Sequence, residues 1–289
     1  MRNMVDERFE ICALLFRFIS GAGFDETETD YQHKITNVFS AFANHPAVIY
    51  AKSLFIGYDA VAKYAVHIDK RDDGMFYLID DLQSLTDCGR WDMIRANTFT
   101  GLLNDFAIDT QFEKFYESHT FYYEEETLKF VEQQYSKIDF EWFRKYLDIS
   151  YMRCIFSPSL FSANYGVTAR GKYVYSIVPH NAALVHEYCH SFANDIAEKW
   201  YKENARFKKL CDDTATLNTI PWYKKSITFA YEYVTRAYNI LYDFQHGEKD
   251  LQMLYKRESD TGGIENGFPY LEQVYEMVLE YSSQPGKHA

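Results

Sequence analysis

Apolar side chains recur at intervals of three and four residues through most of the first half of the chain, which is the period of an amphipathic helix. Proline, which interrupts helices, occurs at Pro46 and then not again until Pro158. The pattern predicts helices over residues 6–20, 29–43, 46–56, 58–68, 91–107, 110–135 and 139–147. Residues 1–149 are therefore predicted to form a helical N-terminal region.

The pattern changes near Ser150, where β-branched and aromatic residues become dense and are separated by glycines and prolines. Two segments are predicted to pair as a small antiparallel sheet, residues 151–156 and 172–178. Helical spacing returns after the sheet, and the predicted helices cover residues 182–202, 222–242 and 269–282. The expected fold is α+β and mainly helical, with regions 1–149 and 150–289 packed as one compact unit.

Charge and composition narrow the classes of protein. The 289-residue chain has 30 lysines and arginines against 42 aspartates and glutamates, a formal charge of −12. This balance repels phosphate backbones, so binding to nucleic acid is not expected. No segment has the roughly 18 to 20 apolar residues of a membrane span, and no signal peptide is visible, so a cytoplasmic location is expected. The five cysteines form no CxxC pair, which argues against a thiolate zinc site.

One motif carries recognisable chemistry, the HExxH pattern from His186 to His190 within a predicted helix. Residues four apart lie on one helix face, so the two imidazoles can bind one metal ion. Glu187 is turned about 100° from His186 and can take a proton from a metal-bound water. In a chain with nine histidines, chance produces about 0.02 such motifs. The alternative is a helix whose histidines are polar residues without a ligand role.

A catalytic zinc ion usually takes three protein ligands and a water molecule, so a third donor is needed from another element. Glu232 is the strongest candidate, because it lies mid-helix among aromatic residues, where an unpaired carboxylate is costly. The competing interpretation pairs Glu232 with Arg236, four residues later, on a solvated helix face. The helical wheel leaves these two interpretations about equal. Weaker candidates are poorly aimed or lie in a predicted polar connection: Asp195, Glu198, Glu203, Asp212 and Asp213.

An HExxH helix followed by a glutamate on a later helix resembles the gluzincin group of zinc metallopeptidases. Three segments also resemble an uncharacterised bacterial family of metallopeptidase-like domains of unknown function, residues 157–166, 185–194 and 232–237. The resemblance implies a zincin-like core, peptide substrates and a Zn²⁺ ion held by His186, His190 and Glu232. Gluzincins often carry an acidic residue one turn after the ligand glutamate, and here that position is Arg236. The residues that support the ligands must therefore differ from those of gluzincins. With Glu232 as a ligand, Arg236 is expected to orient its carboxylate.

The expected activity is hydrolysis of peptide bonds by a zinc-activated water, with Glu187 as general base. The oxyanion needs a further donor that the sequence does not single out, and the candidates are Tyr165, Tyr231, Tyr233 and His180. By resemblance, residues 173–179 are expected to form an edge strand that pairs with the peptide. Two alternatives stay open: a zinc amidohydrolase with a non-peptide substrate, and a helical interaction protein whose metal site is structural or lost.

Two weaker patterns have simpler interpretations. Residues 166–172 have the spacing of a Walker A phosphate loop, but Tyr173 stands where a magnesium-binding Ser or Thr belongs, and a strand follows instead of a helix. We interpret this segment as a hairpin turn. Cys189 lies beside both histidines but on the apolar stripe of its helix, so it is predicted to be a core residue and not a nucleophile.

Overall fold

The computed structural model describes residues 5–18, 29–54, 63–79, 82–86, 91–145, 152–156, 165–169, 172–177, 184–218, 223, 225–261 and 264–283. Most of these residues are helical, which confirms the mainly helical class. The α-helices before residue 150 are α1 (Glu7–Arg17), α2 (Asp30–Phe39), α3 (Pro46–Leu54), α4 (Leu82–Thr86), α5 (Met93–Asp109), α6 (Phe112–Ser118), α7 (Thr120–Gln133) and α8 (Phe140–Arg144). Those after residue 150 are α9 (Leu184–Glu203), α10 (Ala205–Leu217), α11 (Ser226–Gln245), α12 (Leu251–Ser259) and α13 (Leu271–Ser282).

Several helices begin where a polar side chain caps the first turn. Thr29 and Gln32 form a reciprocal capping box at the start of α2. At the starts of four other helices, an aspartate or asparagine accepts a hydrogen bond from the backbone N–H three residues later: Asp92 at α5, Asp139 at α8, Asn204 at α10 and Asp250 at α12. Each cap satisfies an N–H that the helix itself leaves unpaired.

The first half differs from the sequence prediction at several described places, among them α4, a short helix that was not predicted. The predicted helix over residues 110–135 is divided into α6 and α7, which meet at His119. Ile68, the predicted end of a helix, instead opens an antiparallel hairpin of β1 (Ile68–Lys70) and β2 (Phe76–Leu78). Gly74 lies in the turn of this hairpin with a φ of 84°, which glycine adopts without steric penalty. Strands this short are difficult to separate from helix by periodicity alone.

The second sheet contains three strands in the order β3 (Met152–Phe156), β5 (Lys172–Ile177), β4 (Tyr165–Ala169). β5 is parallel to β3 and antiparallel to β4. The sheet is therefore mixed and not purely antiparallel, because the long connection between β3 and β5 lets the chain return in the same direction.

The position of β5 corrects one expectation and agrees with another. β5 is the central strand and is paired on both sides, so the expectation that residues 173–179 form an edge strand for a peptide is wrong over the described part, which ends at Ile177. Ala169 lies opposite Lys172 in the β4–β5 pairing. This register agrees with a hairpin, and not a phosphate loop, at residues 166–172.

Two helices of the second half were not predicted. Residues 205–217, expected as part of a polar connection, form α10, and α12 follows α11. The charged residues of α10 pair four residues apart, Lys208 with Asp212 and Lys209 with Asp213. Such pairs stabilise the exposed face of the helix, while Phe207, Leu210 and Cys211 are buried at helical spacing on its other face.

The chain divides into two compact units. The first comprises residues 1–138 and 149–184, and its core is rich in aromatic side chains, among them Tyr64 stacked on Trp91. The second comprises residues 139–148 and 185–289. The predicted division between residues 149 and 150 stays a prediction. Within the described ranges, we find no helix with the length and apolarity required to cross a membrane.

The second unit is built around α11, which packs against α10, α12 and α13. The short helix α8 also belongs to this unit, and its Phe143 ring contacts Tyr188 and Phe192 of α9. Phe192 in turn meets Tyr238 of α11 edge to face at 4.9 Å. The HExxH helix is therefore fixed by aromatic packing through Tyr188 and Phe192, which lie one turn apart on the same face.

Candidate metal centre

His186 and His190 lie one turn apart on α9 and present the same ring nitrogen to each other. Their Nε2 atoms are 3.1 Å apart, and the two rings are nearly perpendicular, at an interplanar angle of 84°. The opposite side of the helix is buried, since Tyr188 and Phe192 are almost completely enclosed. Packing on that side holds the helix in one orientation, as a preorganised site requires.

Glu232 brings a carboxylate from α11 to the same point. Its Oε2 lies 3.6 Å from His186 Nε2, and its Oε1 lies 3.6 Å from His190 Nε2. All three side chains are 13 to 14% exposed. His186, His190 and Glu232 therefore form a buried group that could hold a metal ion. Within the described residues, no other group of three or more His, Cys, Asp or Glu residues shares this geometry.

The spacing of these donor atoms fits a small tetrahedral ion. Zinc bonds to nitrogen and oxygen are about 2.0–2.1 Å long, and ligands at that distance in a tetrahedron are about 3.3 Å from one another. The two histidine nitrogens are 3.1 Å apart, close to this value, and each lies 3.6 Å from a different oxygen of Glu232. Two neutral imidazoles and one carboxylate are also a donor set that zinc accepts.

The structure contains the ion pair of one sequence interpretation of Glu232, and it also places the carboxylate beside both histidines. Arg236 Nη2 donates to Glu232 Oε2 at 3.1 Å, so the ion pair four residues apart exists. The pair does not lie on a solvated face, because the side chains are only 13% and 11% exposed. The helix face is therefore buried, and Arg236 contacts the carboxylate that faces both histidines.

His190 is oriented by two side chains that the sequence analysis did not identify. Its Nδ1 lies 3.0 Å from Asn194 Oδ1 and 2.9 Å from Thr235 Oγ1. A proton on Nδ1 that is shared with these oxygens leaves the lone pair of Nε2 available to a metal. Asn194 follows His190 by one turn of α9, and Thr235 follows Glu232 by one turn of α11, so helical spacing alone could have drawn attention to both.

The charges at the centre favour the forms that bind metal. Burial raises the pKa of the Glu232 carboxyl, but the nearby charges, above all Arg236, and a hydrogen bond from Tyr223 outweigh burial and lower this pKa to about 2. Burial, with a contribution from His190, lowers the pKa of His186 well below 6.5. At neutral pH Glu232 is thus an anion and His186 is neutral, as metal ligands must be.

The other predicted site residues have separate positions. Glu187 is 9% exposed and lies next to His186 on α9. Tyr231 faces the second half of α9, where burial and the carboxylates of Glu198 and Asp195 raise its pKa. Tyr165 is the first residue of β4, but its side chain lies outside the described part of the chain, as does all of His180.

Tyr233 is completely buried on the other side of α11. Its hydroxyl lies 2.7 Å from Thr214 Oγ1 and accepts a hydrogen bond from the backbone N–H of Tyr270 at 3.3 Å. Tyr188, inside the motif, packs on Phe140 at 5.2 Å. Both tyrosines serve the packing of the helices.

Three of the weaker ligand candidates are engaged in surface ion pairs. Glu198 pairs with Lys202, and Asp212 and Asp213 pair with the lysines of α10 described above. Cys189 is a buried thiol whose pKa burial raises well above 9.0, which agrees with its predicted place in the core.

Comparisons of the chain with protein-family models, curated proteins and solved structures found no match. The gluzincin resemblance therefore stays a prediction, and the function has to be argued from the centre itself.

Proposed function

We propose that the chain is a zinc-dependent metallohydrolase that cleaves peptide bonds. One observation carries the proposal: the Nε2 atoms of two HExxH histidines and the carboxylate of Glu232 converge within 3.1 to 3.6 Å of one another in a buried site. Three protein donors leave a fourth tetrahedral position for water, which distinguishes catalytic zinc sites from four-ligand structural ones. A zincin-like core is part of the proposal.

Different residues would bind the metal ion and transfer the proton during hydrolysis. His186, His190 and Glu232 would hold the ion, which supplies Lewis acidity and lowers the pKa of a water molecule to about 7. Glu187 takes the proton from the attacking water and returns it to the departing amine. Its position favours this role, because it follows the first ligand on the same rigid helix and is only 9% exposed.

The negative formal charge of the chain supports neutral or basic peptides as substrates. The chain carries a formal charge of −12, which favours the approach of neutral or basic peptides over acidic ones. The same centre would also hydrolyse a non-peptide amide, so the substrate assay has to include both.

The experiment compares wild type with Glu187→Gln. We expect about one zinc per chain in both proteins. On a peptide library and a panel of small amides, we expect Glu187→Gln to lower hydrolysis by roughly 10²- to 10⁴-fold, because the general base is lost. Glu198→Gln is the matched control, since Glu198 lies on the same helix, pairs with Lys202 and is 47% exposed.

Each outcome decides between the proposals. Cleavage of peptides that requires zinc and Glu187 supports a peptidase, and cleavage of small amides alone supports the amidohydrolase. Zinc bound without any hydrolysis, or no zinc bound after incubation with the ion, contradicts the proposed activity and favours an interaction protein.

A further inference from the structure

Arg236 lies between two buried carboxylates in the second unit. Its Nη2 donates to Glu232 Oε2 at 3.1 Å, while its Nη1 donates to the backbone carbonyl of Glu258 at 3.1 Å and lies 3.5 Å from Glu258 Oε2. The guanidinium also stacks over the ring of Phe268, with 4.5 Å between its carbon and the ring centroid. The side chain is 11% exposed, so solvent hardly competes for these contacts.

Glu258 is itself fixed from the side opposite to Arg236. Its Oε1 accepts hydrogen bonds from Asn239 Nδ2 at 2.8 Å and from Arg257 Nε at 3.0 Å. Asn239 belongs to α11 and Glu258 to α12, so the network joins the two helices. Because a guanidinium is planar and its donors have fixed directions, an Arg236 anchored at Glu258 has little freedom to turn.

The anchored Arg236 restricts the Glu232 carboxylate. The two oxygens of Glu232 are equivalent by distance, each 3.6 Å from one histidine nitrogen. The bond from Arg236 reaches only Oε2, which occupies a lone pair of that oxygen and resists rotation of the carboxylate. Oε1 accepts no such bond from Arg236 and so keeps more of its lone pairs for an ion.

We propose that Arg236, anchored by Glu258, is a positioning residue that presents Glu232 to the metal through one oxygen. The inference rests on the proposed function, because it assumes that the centre binds a metal ion. A packing role alone does not account for Arg236, since its buried Nε has no hydrogen-bond partner among the described residues, a cost that an apolar side chain would avoid.

The test measures the affinity for Zn²⁺ and Co²⁺ by competition with a chelator, and the visible absorption of the Co²⁺ form, which reports ligand geometry. We expect Arg236→Met to lower affinity about 10- to 100-fold and to change the Co²⁺ spectrum. Arg236→Lys can contact one carboxylate at a time and should recover part of the loss. Glu258→Gln should shift affinity in the same direction by a smaller factor.

Two controls separate positioning from folding. Arg144→Met removes an arginine that pairs with Glu141 three residues away at the surface, where both side chains are more than 70% exposed, and should leave affinity within twofold of wild type. The double variant Arg236→Met with Glu258→Gln should lose no more affinity than Arg236→Met alone, because Glu258 acts through Arg236.

The results distinguish the inference from the proposed function. If wild type binds neither ion, the proposed function fails and the inference fails with it. If wild type binds and Arg236→Met equals it in affinity and Co²⁺ spectrum, the inference is overturned and the proposed function stands. Should Arg236→Met not fold, Arg236→Lys and Glu258→Gln carry the test, and wild-type affinity and spectrum in both would overturn the inference.

Discussion

His190 has contacts at both ring nitrogens. Nε2 faces His186 and Glu232, whereas Nδ1 lies 2.9 Å from Thr235 Oγ1 and 3.0 Å from Asn194 Oδ1. A neutral imidazole carries one N–H, and partners that accept it at Nδ1 select the tautomer in which Nε2 is a ligand. Thr235 is thus a test of how much the supporting side chains matter.

Replacing Thr235 by valine keeps the shape of the side chain and removes the hydroxyl. We expect Thr235→Val to weaken zinc binding about tenfold, because the His190 ring loses one of its two fixed partners. Chelator competition measures the change. Thr216→Val is the control, since the Thr216 hydroxyl bonds the carbonyl of Asp212 in its own helix, and equal affinities of the two variants would contradict the prediction.

The lowered pKa of His186 leads to a prediction of how the stability of the metal-free protein depends on pH. Its pKa is below 6.5 in the folded state because of burial, so below pH 6.5 the unfolded chain takes up a proton that the folded protein does not. The contribution of His186 to the free energy of unfolding is therefore fully present above pH 6.5. It falls as the pH decreases, by at most about 1.4 kcal/mol per pH unit.

Urea unfolding in the presence of a chelator between pH 7.5 and 5 measures this effect. We expect His186→Gln to show a shallower loss of unfolding free energy than wild type. His33→Gln, which changes an exposed histidine of α2, should follow the wild-type slope. Parallel curves for wild type and His186→Gln would contradict the prediction.

At the scale of the element, α11 presents two chemically different sides. One carries Glu232, Thr235 and Arg236, whose contacts are with α9 and α12. The other carries Tyr233, whose hydroxyl meets α10 at Thr214 and the start of α13 at Tyr270. Within one turn, the helix thus separates the contacts of the candidate metal centre from contacts that serve packing alone.

This division predicts that Tyr233→Phe affects folding and not the centre. The change removes the buried hydroxyl, so Thr214 and the backbone N–H of Tyr270 each lose a hydrogen-bond partner. We expect the unfolding free energy to fall by about 1–3 kcal/mol. Zinc affinity and hydrolysis per folded molecule should equal those of wild type. A loss of hydrolysis at unchanged stability would instead make Tyr233 part of the site.

The sequence predicted several elements whose signal is local, and it missed features that depend on contacts between distant residues. The HExxH helix and the helix of Glu232 have strong apolar periods, so their positions were predictable. α10 also has buried apolar residues at helical spacing, Phe207, Leu210 and Cys211, and this signal was missed among its charged residues. The parallel pairing of β3 with β5 depends on contacts between distant residues. Asn194, Thr235 and Glu258 support the centre through contacts that form only when α9, α11 and α12 pack together. A single sequence does not show how these helices pack.

At the scale of the whole molecule, the three candidate ligands belong to one compact unit, residues 139–148 and 185–289. That unit has a core of its own, including Phe229, Val234, Tyr238 and Val274, all fully buried. The ligands are also satisfied without an ion, because Glu232 pairs with Arg236 and His186 is neutral. We therefore predict that the fold does not depend on a bound metal ion.

Removal of metal should accordingly leave the protein folded. After dialysis against EDTA, we expect an unchanged helical circular dichroism signal at 25 °C and a cooperative thermal transition with a lower midpoint, since the lost ion had stabilised the folded state by binding. Collapse of the helical signal on chelation would indicate a structural ion and would contradict the prediction.

The supporting contacts of the centre also define a longer sequence signature than the HExxH motif. On α9 the signature is His-Glu-x-x-His-x-x-x-Asn, ending at Asn194, and on α11 it is Glu-x-x-Thr-Arg, from Glu232 to Arg236. Each position is fixed by a contact and not by overall similarity. A genome search that requires both helical patterns in this order would therefore recognise distant chains with the same centre, even where the remaining sequence has diverged.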